Sequence, residues 1–216
     1  MSTNLYYCKA LLLCGALFIL AACEQHEQHE LAPATNQAKE GALTASGSQE
    51  AKRKSTSYTT YVIKKGQHST SSPFKSLRTN SMVFEAVFDN SAIYTSINPD
   101  NQLDINKLYG MADCGSTHHT NSARFGWRWY NSSLQVLAYV YANGVRYSKL
   151  MTTVDLNKAY KYELLLSGNQ YIFTVNGVSV SMPRACSNTG SGYQLYPYFG
   201  GDEVAPHDIT IKIKDL

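Results

Sequence analysis

The chain has 216 residues, of which 44% are hydrophobic and 16% are charged. This balance excludes an intrinsically disordered chain and a bundle of membrane helices. The net charge of +3 comes with no basic stripe and no RNA-binding motif, so nucleic acid is not expected as a partner.

The first segment has the pattern of an export signal. Residues 10–22 are apolar and uncharged, and Lys9 supplies a positive charge in front of them. Spanning a bilayer takes about 20 residues, so this shorter run suits the hydrophobic region of a secretory signal. An ordinary cleaved signal and a buried apolar helix are the two alternatives.

The apolar run ends in the letters LAAC, which close at Cys23. This ending resembles the lipobox of bacterial lipoproteins. The resemblance implies a signal peptide over residues 1–22 and acyl chains, palmitate among them, that anchor Cys23 in a lipid bilayer. Glu24 stands where an aspartate would mark retention in the inner membrane. The resemblance therefore implies an outer-membrane lipoprotein, and leaves open whether it faces the periplasm or the cell surface.

Residues 23–57 are expected to form the lipidated cysteine and a flexible linker. After Cys23 the segment contains the tandem repeat EQHEQHE and no Phe, Trp or Tyr. Such a composition cannot bury enough apolar surface to offset the entropy lost on ordering. His26 and His29 are too few for a metal-binding tract, so a solvated spacer is predicted.

Short β-rich runs fill residues 58–216. Strands are predicted over 58–64, 81–88, 123–130, 134–141, 145–150, 160–167, 170–176, 178–182, 193–199 and 207–213. Asn143-Gly144 and Asn176-Gly177 are strong signals for two-residue hairpins, and Gly168-Asn169 predicts a third. About ten strands with tight turns predict an all-β domain, a two-sheet β-sandwich or jelly roll.

Residues 89–122 contain few strand signals and many Asn, Asp, Ser and His residues. A connection of this length in a compact domain is usually functional or poorly ordered, and we expect a folded, functional loop. Asp104 to Met111 could form one short helix within it.

Two cysteines remain beyond Cys23, namely Cys114 and Cys186. In an oxidising compartment, two remaining cysteines predict one disulfide, which would pin the long loop to the sandwich. Two unpaired thiols are the alternative, because the sequence does not show how far apart the residues lie.

Polar and aromatic residues concentrate in two segments, 113–129 and 196–208. On a strand, Phe125, Trp127 and Trp129 would share a core face and Arg124 the opposite face. Aromatic rings beside arginines suit sugar recognition, because rings stack on C–H faces and guanidinium groups bind carboxylates. The predicted ligand-binding residues, expected around one depression, are His118, His119, Arg124, Arg128, Tyr139, Tyr141, Tyr196, Tyr198 and His207. The alternative is that the tyrosines are present because they favour strands and that the arginines form surface ion pairs, without a ligand.

No cofactor is required, and a metal is a secondary hypothesis. Asp202, Glu203 and Asp208 could ligate Ca²⁺ or act as a glycosidase pair. The histidines at 118, 119 and 207, with Asp113 or Asp208, could instead hold a transition metal. A polar turn without metal is the alternative, since no known ligand spacing is matched.

Two blocks carry a family resemblance, ADCGSTHHTNSARFGWRW and YPYFGGDEVAPHDITIKI. They resemble blocks in exported lipoproteins of the Bacteroidota type, which implies export but no activity. The strand layout more loosely resembles concanavalin A-like sandwiches, the superfamily of lectins, glucanases and alginate-lyase-like enzymes. The catalytic motifs of the lyases and of the laminarinase-like hydrolases are missing, and fold alone does not assign function. The leading hypothesis is a tethered module that binds an extracellular or periplasmic polysaccharide. A carbohydrate-active enzyme (polysaccharide lyase or glycoside hydrolase) and a structural envelope lipoprotein are the alternatives.

Overall fold

The computed structural model describes residues 57–216, so the predicted signal peptide, the lipidated Cys23 and nearly all of the linker lie outside the described residues. Two short 3₁₀ turns cover Asn90–Ala92 and Pro99–Leu103. In the described range, no helix is long and apolar enough to cross a membrane. The strands are β1 (Thr59–Ile63), β2 (Ser76–Thr79), β3 (Ser81–Phe88), β4 (Asn106–Ala112), β5 (Ser122–Tyr130), β6 (Ser133–Ala142), β7 (Val145–Val154), β8 (Tyr160–Ser167), β9 (Gln170–Val175), β10 (Val178–Pro183), β11 (Gly190–Leu195) and β12 (Ile209–Asp215).

The strands form two antiparallel six-stranded sheets that pack as a sandwich, which confirms the predicted fold class. The first sheet has the order β1-β12-β3-β8-β9-β10, and the second has the order β2-β11-β4-β5-β6-β7. The core lies between them because inward-facing positions alternate with outward ones along each strand. On β3, for example, Met82, Phe84, Ala86 and Phe88 are buried while their neighbours are partly or fully exposed.

The second sheet carries the predicted division between core and polar faces. Phe125 and Trp127 on β5 are fully buried in the core, where Phe125 packs edge-on against Phe84. Arg124 pairs across the ladder with Tyr139 on β6, and both therefore lie on the opposite, outer face.

The three predicted hairpins are confirmed. Asn143 and Gly144 both have positive φ between β6 and β7, as do Asn176 and Gly177 between β9 and β10. Gly168 has φ 56° at the turn between β8 and β9. These left-handed conformations twist the chain in the sense that adjacent strands require, and Asn and Gly adopt them at low cost.

The interpretation of residues 89–122 as one loop was wrong in its centre. The suggested helix over Asp104 to Met111 is instead β4, which pairs with β5 and β11 inside the second sheet. A β-bulge between Lys107 and Tyr109 breaks the alternation of side chains, so no period-two pattern was visible in the sequence. The four-residue edge strand β2 was also missed, because it is too short to show a period.

Candidate functional site

Most of the polar side chains singled out above line a depression of about 320 Å³ on the outer face of the second sheet. We call it the Arg124 depression. Its floor comes from β4 to β7, and its walls come from the loops that follow β4 and β11. The lining residues are Lys107, His118, His119, Arg124, Tyr139, Tyr141, Arg146, Tyr198, Gly200, Gly201 and Asp202.

Arg124 is the most unusual of these side chains. It is only 6% exposed, its Nε has no hydrogen-bond partner, and no acidic group of the described residues forms an ion pair with it. Its guanidinium carbon lies 5.5 Å from the ring centre of Tyr139. Burial lowers the pKa of Arg124, yet an arginine remains charged. A buried guanidinium without a counter-charge is costly to the free protein, and an anion bound beside it would reduce this cost.

Lys107 stands beside Arg124 and was not predicted as a site residue. The bulge in β4 directs its side chain to the outer face, where Nζ donates to the carbonyl of Gly200 at 2.7 Å. The same Nζ lies 5.4 Å from the ring centre of Tyr139 and 5.3 Å from that of Tyr198. Burial, followed by the charge of Arg124, lowers the pKa of Lys107 to about 8.

The loop before β5 places the two histidines at one end of the depression. The imidazole Nδ1 of His118 lies 2.9 Å from the hydroxyl of Tyr193, and the ring of His119 lies 5.5 Å from that of Tyr141. Burial lowers the pKa of His118 to about 4, with further contributions from nearby positive charges. His118 is therefore neutral at physiological pH.

A disulfide and a buried ion pair hold the start of this loop in place. Cys114 and Cys186 are bonded, as predicted. Asp113, with a fully buried side chain, accepts hydrogen bonds from Arg184 Nε at 2.7 Å, from the hydroxyl of Tyr171 at 2.9 Å and from the backbone N–H of Ser191 at 3.0 Å. The histidine loop is thus fixed to the body of the sandwich at the residues immediately before it.

A second loop, residues 200–204, forms the opposite wall. Glu203 accepts hydrogen bonds from the backbone N–H groups of Ile97 and Asn98 and from the side chain of Asn101, so it ties this loop to the Pro99–Leu103 turn. A Cβ atom at Gly201 would lie 2.5 Å from a carboxylate oxygen of Asp104, so a larger residue there would require the Asp104 side chain to move.

The structure brings together six of the nine predicted ligand-binding residues, which are His118, His119, Arg124, Tyr139, Tyr141 and Tyr198. Arg128 lies outside the depression, where it donates to the side chain of Gln135 and to the carbonyl of Leu103. Tyr196 turns away to pack against Tyr61 and Tyr109, because β11 ends at Leu195 and strand alternation ends with it.

His207, the ninth residue, also lies outside the depression. Its Nε2 is 2.8 Å from the carbonyl of Ser91, beside the Asn90–Ala92 turn. The single depression expected to include it therefore does not contain it. Of the polar segment 196–208, only Tyr198, Gly200, Gly201 and Asp202 line the depression, and the chain has left it before His207.

The three carboxylates suggested for Ca²⁺ are not brought together. Glu203 binds the backbone of the neighbouring loop, and Asp208 binds Lys64 Nζ at 2.7 Å and the N–H of Lys65. Within residues 57–216, the one group with three potential metal-ligating side chains in mutual reach is Asp113, Cys114 and Cys186. The disulfide occupies both sulfur atoms of that group, so it does not offer a ligand set.

A larger cavity, of about 750 Å³, lies between the edge strand β1 and residues 69–73. It is lined by Thr and Ser hydroxyl groups with Tyr61, Tyr196 and a single charged residue, Lys64. The pKa values of Tyr61 and Tyr196 in this larger cavity are raised by burial. The Arg124 depression is smaller, but it holds the unpartnered guanidinium of Arg124 and the lowered pKa values of Lys107 and His118, and such charged groups are the usual marks of a functional site.

Comparison with known proteins leaves the family open. No family model matches the chain, and no curated relative matches it. Among solved structures, the chain is similar to the alginate lyase AlyC3, with 12% identity over 74% of each chain and a TM-score of 0.49. It is also similar to SCLam, a non-specific endo-β-1,3(4)-glucanase of family GH16, with 7% identity over 64% of this chain and 56% of that chain and a TM-score of 0.45. A third similar structure is the carbohydrate-binding module CBM66 from Bacillus subtilis, with 9% identity over 67% of this chain and 75% of that chain and a TM-score of 0.34. Function must therefore be argued from the site of this chain.

Proposed function

We propose that the Arg124 depression binds an acidic glycan, with the carboxylate of a sugar residue on Arg124. The observation that carries this proposal is the buried guanidinium whose Nε has no partner. Lys107 and Arg146 line the same depression, so its lining contains three positive side chains and one carboxylate, that of Asp202. A planar guanidinium offers a carboxylate two parallel hydrogen bonds, which makes arginine well suited to this role.

The tyrosines indicate that the anionic ligand is a sugar. Tyr139, Tyr141 and Tyr198 line the depression, and each pairs an apolar ring with a polar hydroxyl. Such rings can cover the C–H face of a pyranose while the polar groups around them bind its hydroxyls. The function supported best is therefore a non-catalytic glycan-binding module.

A polysaccharide array followed by calorimetry tests this function. All lining residues of the Arg124 depression lie within residues 57–216, and the experiment uses the full mature chain. We expect binding to carboxylated polysaccharides and none to neutral ones. If the protein binds neither acidic nor neutral polysaccharides on the array, the proposal is contradicted and a structural envelope protein is favoured.

The pKa of Lys107 gives the proposed binding a defined pH dependence. The ammonium form, which attracts a carboxylate, predominates below a pKa of about 8 and is lost above it. We expect affinity for an acidic oligosaccharide to fall by up to about tenfold between about pH 7 and about pH 9. Calorimetry at both pH values measures this change. In the Lys107→Met variant the affinity should be lower and nearly independent of pH over this range.

A polysaccharide lyase is the second candidate, and the position of His118 in the same lining as Arg124 is the observation that favours it. In β-elimination, a base removes the proton next to the carboxylate, a carbon–carbon double bond forms, and the glycosidic oxygen leaves with a proton from an acid. His118 could accept the first proton and a tyrosine could supply the second, with Arg124 holding the carboxylate. A glycoside hydrolase is less well supported, because each carboxyl group with a resolved pKa shift in the described range is shifted downward, whereas a general acid needs an upward shift.

Unsaturated products separate a lyase from a binding module. Incubating the protein with each acidic polysaccharide that it binds should leave the chain length and the ultraviolet absorbance unchanged. If an unsaturated product accumulates with the wild type and not with His118→Ala, the protein is a lyase and the proposal of a non-catalytic binding module is wrong.

We propose, finally, that the module is tethered to the outer membrane through Cys23. The support is the apolar run over residues 10–22 and the letters LAAC that close it. Cells grown with an azido fatty acid should label the wild-type chain and leave Cys23→Ser unlabelled. Equal labelling of the two chains would be evidence against lipidation at this residue.

A further inference from the structure

The larger cavity, between β1 and residues 69–73, runs along the free edge of β1. Four consecutive residues of that strand, 59–62, line it. Successive side chains of a strand point to opposite faces of the sheet, so a cavity lined by four residues in a row follows the edge of the strand and not one face. β1 is the end strand of the first sheet, and its strand partner there is β12. We call this cavity the β1 slot.

Both walls of the β1 slot carry backbone groups without a backbone partner. In an antiparallel sheet, alternate residues of an end strand direct their N–H and C=O groups away from the sheet. Within the described residues, no backbone–backbone hydrogen bond joins β1 to a segment other than β12. On the opposite wall, residues 70–73 form no backbone–backbone hydrogen bond with any described residue. The slot therefore offers donors and acceptors on two sides to a chain placed between them.

Contacts with the segment that follows β11 hold the start of the opposite wall. The N–H of Phe199 donates to the carbonyl of His68 at 2.6 Å, and the ring of His68 stacks on that of Tyr198 with 5.2 Å between the ring centres. Ser69 pairs with Tyr198 as an isolated β-bridge. A ligand therefore meets a wall that is already ordered at its start, which reduces the entropy lost on binding.

The β1 slot has the volume of a short strand. A residue in a packed β-sheet takes up roughly 160 Å³, given its rise along the strand and the spacings between strands and between sheets. The slot volume of about 750 Å³ therefore corresponds to about five residues, which is also the length of β1.

The lining of the β1 slot is polar, but its charge is already paired. Lys64 is the one charged residue of the lining, and its Nζ lies 2.7 Å from a carboxylate oxygen of Asp208. Ser and Thr hydroxyl groups and the half-buried rings of Tyr61 and Tyr196 make up most of the remaining lining. A charged ligand would find no free counter-charge here, so the slot favours an uncharged one.

We infer that the β1 slot binds an extended, uncharged peptide segment of a partner protein, which adds one strand to the first sheet beside β1. Main-chain hydrogen bonds supply the affinity, and alternate side chains of the peptide contact Tyr61 and Tyr196. A sugar does not carry N–H and C=O groups at the spacing of a strand, so the free edge favours a peptide over a second glycan. This site goes beyond the proposed glycan binding, because the slot and the Arg124 depression share no lining residue.

An NMR titration of the ¹⁵N-labelled mature chain with the peptide acetyl-Thr-Val-Thr-Val-Thr-amide tests the inference. The peptide is uncharged, has the length of β1 and favours an extended conformation. We expect the amide signals of residues 59–62 and 69–72 to shift, while those of the end strands β7 and β10 stay unchanged. The same peptide methylated at every backbone nitrogen cannot donate a main-chain hydrogen bond, and it should bind at least about tenfold more weakly.

Ser71→Arg places a long, charged side chain in the slot and should also weaken peptide binding at least about tenfold. Ser181→Arg, at an exposed position on β10, is the matched control and should leave the affinity unchanged. Both variants should bind an acidic oligosaccharide as the wild type does, so the proposed function stands or fails separately.

The inference is overturned if the methylated peptide binds as tightly as the unmethylated one, if Ser71→Arg has no effect, or if no signal of the slot shifts. Shifts in the slot that are caused by chitotetraose and not by the peptide would also overturn it, and would make the slot a sugar site.

Discussion

Replacing Asp113 by Ala should lower the free energy of unfolding by about 3–5 kcal/mol, the loss typical when one partner of a buried ion pair is removed. The guanidinium of Arg184 would stay buried without its counter-charge, and the N–H of Ser191 would lose its acceptor. Urea denaturation of the wild type and the variant, both with the disulfide intact, measures the difference. Asp155→Ala, which removes an exposed carboxylate, should leave the midpoint nearly unchanged.

The same carboxylate predicts how stability depends on pH. Burial alone would raise the pKa of Asp113, but hydrogen bonds from Arg184 and from backbone N–H groups lower it further than burial raises it. A carboxyl group whose pKa is lowered on folding stabilises the protein above its unfolded pKa of about 3.9 and loses this contribution as pH falls through the folded value. Wild-type stability should therefore fall in acid more steeply than that of Asp113→Ala. Parallel acid-unfolding curves for the two chains would contradict this role.

Replacing Arg124 by Gln should weaken binding of an acidic oligosaccharide by roughly 10- to 150-fold, which corresponds to about 1.5–3 kcal/mol for hydrogen bonds to a charged group. Gln fills part of the same volume but cannot present a charged planar fork to a carboxylate. Calorimetry with a carboxylated oligosaccharide, chosen from the polysaccharides that bind on the array, measures the loss. Arg78→Gln, a change on β2 outside the depression, should leave the affinity unchanged.

Thermal unfolding separates a ligand-binding role of Arg124 from a structural one. Because its Nε has no partner in the fold, its replacement should leave the melting temperature unchanged or raise it. A marked decrease in melting temperature together with unchanged affinity would make Arg124 a structural residue and contradict the proposed function. Arg128, by contrast, donates two hydrogen bonds within the fold, so Arg128→Gln should affect stability more than affinity.

Regular alternation and turn chemistry in the sequence were sufficient to predict the sandwich. β3 shows a period of two because only one of its faces is buried. β5 alternates Ala123, Phe125 and Trp127 with polar or small residues, although both of its faces are buried from Ser122 to Trp127. Asn143-Gly144 and Asn176-Gly177 determine their hairpins locally, since positive φ at both positions favours these residues. Arg146 could have been found the same way, because the Asn143-Gly144 hairpin places it opposite Tyr141.

Other features were decided only by the tertiary structure. Lys107 belongs to the site because a bulge in β4 turns it outward, and a bulge interrupts the very period by which a strand is recognised in sequence. Tyr196 and His207 lie outside the site because the chain leaves the sheet after Leu195, where Tyr196 packs against Tyr61 on β1 and His207 contacts the carbonyl of Ser91. The sequence by itself determined the two sheets, the face on which Arg124 lies and the availability of Cys114 and Cys186. Only the tertiary structure decided that Arg124 has no counter-charge, because an ion pair depends on residues far apart in the chain and brought together by packing.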